Sequence, residues 1–145
     1  MTLPAVLRTK VSRIFDLFYW DNSDLSYEAE DEVIQRGIKI FADLPVPVEI
    51  RNQARVHLWY EAHFGTSYPP LQSSCEAIDR FASKTHAVGV SLGSNGKMKI
   101  YAPFGLNDLF SFRITPNRAM DNQQTHELKG ARATSVWPEV IVEPW

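Results

Sequence analysis

Two segments with the composition of β-strands each carry a single acid among apolar neighbours. Residues 14–20 are apolar and aromatic apart from Asp16, and residues 46–50 are apolar apart from Glu49. The first segment reads as a strand buried on both faces. A carboxylate inside such a strand is costly unless it meets a cation, a hydrogen-bond donor or a metal. The stretch between the two segments has helical spacing. Two acid-bearing strands therefore flank one helix, and their carboxylates can serve one divalent cation through hard oxygen ligands. The plainer alternative is a carboxylate that faces solvent or pairs with Arg51 or Arg55.

The rest of the chain divides by local signals. Residues 21–24 are a turn cluster, with Asp21 a turn former. Asp24 or Ser26 caps the helix that follows, and Glu28, Glu30, Asp31 and Glu32 fall in its early turns, where the helix dipole favours negative charge. Val33, Ile34, Ile38 and Phe41 recur near helical spacing and predict one core face. Gly37 weakens this helix by about 1 kcal/mol relative to alanine. Leu44 and Pro45 end it. Pro47 places the second strand near an edge or at a strand start. Residues 51–60 fit either an extended or a helical course. A capping box at Ser73–Glu76 starts a short helix. Residues 85–92 and 97–102 alternate and join through Gly93-Ser94-Asn95-Gly96, which predicts an antiparallel hairpin with Val88, Val90, Met98 and Ile100 inward. Residues 104–110 read as a turn or short helix, 123–134 as a last helix containing Gly130, and 137–145 as an extended tail. The class is α+β.

Bulk properties exclude several functions. A chain of 145 residues suits one domain. A net charge of −2 gives no global basic signal for nucleic acid. The one cysteine, Cys75, excludes an intrachain disulfide framework and a multi-cysteine zinc site, and fits a cytoplasmic setting. No apolar run is long enough to span a membrane, and residues 1–11 lack the pattern of a signal peptide.

Other constellations carry less. His57 and Glu61 stand one helical turn apart with His63 close by, but the spacing is no zinc motif, so hydrogen-bonded or surface histidines are the stronger reading. Arg36, Arg51 and Arg55 suit either an anion-binding patch or ion pairs with the acidic helix. Cys75 has no dedicated histidine base. No serine lies in a nucleophile elbow, and Gly93–Gly96 lacks the lysine and helix of a phosphate loop.

Four runs occur in an order that resembles a known family. They are Asp16–Asp21, Asp24–Glu28, Val48–His57 and Tyr101–Phe110. The family comprises small, mostly uncharacterised bacterial nucleotidyltransferases of the polymerase-beta-like superfamily. The Asn52-Gln53-Ala54-Arg55 and Pro103-Phe104-Gly105-Leu106 runs are specific to it. The resemblance covers residues 14–117. Residues 1–13 are unmatched, and 118–145 form a C-terminal helix and tail of the same single domain, 1–145. It implies a partial nucleotidyltransferase fold, a mixed β-sheet with flanking helices and a C-terminal hairpin.

The superfamily uses an Asp-x-Asp pair and a third carboxylate on a later strand to hold two divalent ions, which position a nucleoside triphosphate and an acceptor hydroxyl. By resemblance, Asp16 matches the second acid of the pair and Glu49 the third carboxylate, both as catalytic ligands for Mg2+ or Mn2+. Arg51, Asn52 and Arg55 are the implied nucleotide-binding residues. The acceptor, whether small molecule, RNA or protein, is left open, and so are the base preference and oligomeric state. Ile14 stands where the first acid belongs, and the family's upstream helix and glycine-containing loop find no counterpart before Asp16. The expectation is a family member lacking its N-terminal part, with turnover near background. The alternative function is a catalytically impaired remnant that acts as a binding module. A histidine-based metalloenzyme is a third, weaker reading.

Overall fold

The computed structural model describes residues 14–145. They fall into two compact units divided after Ser74. The first unit is built from β1 (Phe15–Tyr19), α1 (Tyr27–Ile40) and β2 (Val48–Asn52), followed by a 3-10 helix, Gln53–Leu58, and a short α2 (Tyr60–Phe64). β1 and β2 pair in parallel, as a strand–helix–strand crossover requires. Pro47 sits just before β2, where its missing N–H costs nothing, and its carbonyl accepts from Phe15 N at 3.0 Å.

α1 starts where its cap dictates. Ser26 is extended and its hydroxyl accepts the Ala29 N–H at 3.2 Å. Asp24 in turn accepts the Ser26 N–H at 2.8 Å. The buried positions of α1 are Glu30 and Gly37, two turns apart on one face. Val33 and Ile34 are half-buried, whereas Ile38 of the expected core face is exposed. Gly37 explains the shift. A Cβ there would lie 1.9 Å from Ile50 Cδ1, so glycine lets α1 approach β2 closely. Gly37→Val should therefore lower stability by about 1–3 kcal/mol through overpacking, more than the helix propensity gained on leaving glycine. The urea midpoint checks this. An unchanged midpoint would mean that Ile50 simply moves aside.

The expectation that β1 is buried on both faces is corrected. Phe15, Asp16 and Leu17 are exposed, as is Ile14 just before them. β1 has one neighbour among the described residues, β2, so part of its surface remains open.

α3 (Ser74–Asp79) begins at the division, and the second unit holds the rest of it, the hairpin β3 (Gly89–Leu92) and β4 (Met98–Tyr101), α4 (Asn107–Phe110), β5 (Arg113–Ile114), α5 (Gln123–Val136) and β6 (Ile141–Val142). Among the described residues the strands pair as three two-stranded sheets, β1-β2 parallel, β3-β4 antiparallel and β5-β6 parallel, which gives the expected mixture of strand directions with flanking helices. Ile78, Ala82, Ala87, Ile114 and Ala133 are buried in this unit. His126 is fully buried, with Nδ1 2.9 Å from Ser83 Oγ and Nε2 2.8 Å from the Glu143 carbonyl. It ties α5 to the tail. Gly130 serves β6 as Gly37 serves β2, since a Cβ would lie 2.7 Å from Val142.

The hairpin forms where the alternation predicts, and its turn is closed by Gly96 at φ 73°. Its orientation is corrected. Val90, Leu92, Met98 and Ile100 share one face and are 54% to 76% exposed. Val88 lies outside the strand and is half-buried. On the opposite face the paired Gly89 and Tyr101 pack inward, because Gly89 admits Ile78, whose Cδ1 would lie 2.4 Å from a Cβ, and because Tyr101 donates to Asp79 at 2.7 Å, while Ser91 and Lys99 beyond them are exposed. No helix among the described residues is long and apolar enough to cross a membrane.

Candidate active site

The parallel register sets Asp16 beside Glu49 and Phe18 beside Arg51. Residues paired across a ladder leave the same face, and alternate residues share it. Asp16, Phe18, Glu49 and Arg51 therefore line one face of β1-β2. Leu17 and Ile50 line the other, toward α1. Asp16 and Glu49 are both exposed rather than buried, which removes the desolvation cost expected from their apolar flanks. Arg51 Nη2 bonds Glu49 Oε1 at 2.8 Å, with both side chains close to half exposed. A surface pair of this kind stabilises by about 0–1 kcal/mol, so it exchanges partners readily.

The end of β2 is braced from α1. Glu30 Oε1 accepts the Asn52 N–H at 2.8 Å, and its Oε2 pairs with Arg55 Nη1. Arg55 Nε also donates to the Leu25 carbonyl at 3.0 Å. Asn52 is buried. Its Oδ1 accepts from Asp21 N at 3.0 Å and Ala54 N at 3.1 Å, and its Nδ2 donates to the Asp21 carbonyl at 2.8 Å. Asn52 thus caps the 3-10 helix and joins the ends of β1 and β2. These bonds occupy Asn52 and much of the Arg55 guanidinium, while Arg51 lies on the carboxylate face. Asp21 is a turn former: the Ser23 hydroxyl, at 2.6 Å, holds its carboxyl below the ordinary aspartate range. Trp20 Nε1 donates to the Leu71 carbonyl at 2.8 Å and anchors the following loop.

Glu30 was not distinguishable in the sequence from Glu28 or Glu32. The remaining signal is its two-turn spacing from Gly37, which places both on the face toward β2. His57, Glu61 and His63 form no metal cluster, and no group of three potential ligands occurs among the described residues. Nδ1 of His57 is buried without a hydrogen-bond partner among those residues, and the His63 ring packs on Trp59 at 5.9 Å. Cys75 is exposed.

The fold has a solved counterpart. A structure described as a CCA-adding enzyme head domain superposes with a TM-score of 0.64 at 24% identity, covering 88% of this chain and 66% of the other. The chain thus spans just under two thirds of that protein's length, and the likeness establishes the fold. No curated protein matches the sequence. A family model described as nucleotidyltransferase matches residues 8–142, reaching beyond the 14–117 segment at both ends. With a match across nearly its whole length and a fold to agree with it, the chain belongs to this nucleotidyltransferase family.

Proposed function

We propose that the chain transfers a nucleoside monophosphate from a nucleoside triphosphate to an acceptor, with Mg2+ or Mn2+ held by Asp16 and Glu49. The observation that carries this is the register of Asp16 against Glu49 on one exposed face. Two carboxylates fit such an ion, because magnesium keeps several waters and is commonly bound by one or two carboxylates together with substrate phosphates. The bound ion would supply charge neutralisation on the triphosphate and lower the pKa of an acceptor hydroxyl. Arg51, released from Glu49 when that carboxylate takes the metal, would turn its guanidinium to the phosphates, a fork suited to two oxygens. Asn52 and Arg55, named above as nucleotide contacts, contribute by holding the end of β2 in place. Glu30 supports both from α1.

Pyrophosphate release from each nucleoside triphosphate with manganese tests the reading. Whatever release the unaltered chain shows above a protein-free control should fall to the control level in Asp16→Asn and in Glu49→Gln, because each removes a charge that acts on the reacting phosphates. Arg51→Ala should raise KM more than it lowers kcat. Release that persists in Asp16→Asn would remove the carboxylate pair from the mechanism.

A further inference from the structure

We infer that Arg51 makes binding of the divalent ion and of the triphosphate mutually dependent, so that the site selects the metal–triphosphate complex over either component alone. This rests on the metal-site reading above and adds to it an exchange of partners between Glu49 and Arg51. The two residues stand two apart on β2, on the face shared with Asp16. Arg51 Nη2 holds Glu49 Oε1 at 2.8 Å, and its Nη1 donates to the Ile50 carbonyl at 3.2 Å. In the empty site, the carboxylate that would take the metal and the guanidinium that would take the phosphates are therefore bound to each other.

Each ligand alone meets a penalty that the other removes. An ion taken up by Glu49 displaces Arg51 and strips that charge of its partner. A triphosphate that draws Arg51 away leaves the Glu49 carboxylate facing an anion, and like charges repel. When both arrive, Glu49 binds the ion, Arg51 binds phosphate oxygens, and each charge has a new partner. By linkage, each ligand then raises the affinity for the other by the same factor. No backbone movement is needed, because residues two apart on a strand lie about 6.5 Å from each other, within the sweep of an arginine side chain. The pair is also weak enough to open, since both side chains are exposed. Arg55 supplies the contrast. Its pairing with Glu30 is largely buried and is braced by the Leu25 carbonyl, so that guanidinium stays in place.

The test takes the full chain and reads each half of the exchange without turnover. The first probe is inorganic tripolyphosphate in EDTA, followed by calorimetry. Glu49→Gln should tighten its binding about two- to fivefold, because Arg51 is freed. The same change made in an Arg51→Ala background should gain little. An equal gain in both backgrounds would mean that Glu49 acts only through its charge, and overturns the inference. The second probe is Mg2+ alone, with the Arg51 Nε–H and the carboxyl groups of Asp16 and Glu49 followed by NMR. Mg2+ should move the Arg51 signal to the position it holds in Glu49→Gln. A shift of both carboxyl signals with Arg51 unmoved overturns the exchange and leaves the metal site standing. If Mg2+ shifts neither carboxyl signal, the metal site fails and the exchange with it. Glu49 and Arg51 are exposed, so their variants should fold, and circular dichroism checks that they do.

Discussion

An aspartate introduced at position 14 should raise metal-dependent pyrophosphate release about a hundredfold or more over the unaltered chain. Ile14 lies two residues before Asp16, so the alternation of an extended strand puts it on the face of Asp16 and Glu49. It is exposed, so a charge there meets little desolvation penalty. Two carboxylates suit one ion well, while two-metal phosphoryl chemistry uses a second ion to clamp the attacking and leaving oxygens. A third carboxylate at position 14 would complete the Asp-x-Asp pattern that the family resemblance implies. One well-placed electrostatic contact is worth about 2.7–4 kcal/mol in the transition state, which sets the size of the expected gain. Ile14→Asn controls for polarity without charge and should gain little. Ile14→Asp combined with Asp16→Asn should return to background. Manganese affinity, measured by calorimetry, should rise with the rate. A flat response to Ile14→Asp, with full loss in Asp16→Asn, would show that position 14 faces no metal and that two carboxylates suffice.

Removing Glu30 should be the most damaging single change to stability in the first unit. Its carboxylate is buried, pairs with the Arg55 guanidinium and accepts the Asn52 N–H. Breaking one partner of a buried pair leaves the other charge uncompensated and costs about 3–5 kcal/mol. Glu30→Ala also orphans a buried backbone donor, so the loss should fall at the upper end of that range. Arg55→Ala should also be costly, because it leaves the buried Glu30 carboxylate without its cation, although Glu30 keeps its bond to Asn52. The double variant should be far less damaged than the sum of the two, and a double-mutant cycle in urea reads the difference. Strict additivity would show that the two side chains do not act as a pair. Catalysis should fall together with stability, since the same bonds hold the end of β2 that carries Glu49 and Arg51.

The local parts of this fold were legible because local physics makes them. Ser26 caps α1, Pro47 precedes β2, and Asn95-Gly96 closes the hairpin, each through interactions within a few residues. Asp16 and Glu49 stood out as single acids among apolar neighbours, and the register sets them side by side. The family was legible in the same way, through short runs of fixed order, and the match over residues 8–142 bears it out.

Which face each element turns inward was decided by the tertiary structure. Alternation shows that a hairpin has two faces, but Gly89 and the Tyr101–Asp79 bond choose the less apolar one for packing. Helical spacing favours Ile38 as core, but Gly37 turns its own side of α1 toward Ile50. Arg51 and Arg55 look alike in sequence. The fold places Arg55 against a buried carboxylate and Arg51 on the exposed carboxylate face. Glycine contacts and buried ion pairs join residues distant along the chain, here Glu30 with Arg55 and Gly37 with Ile50. No local periodicity records them, so the sequence determined the elements and the acids, and long-range packing decided which side chains are left to act.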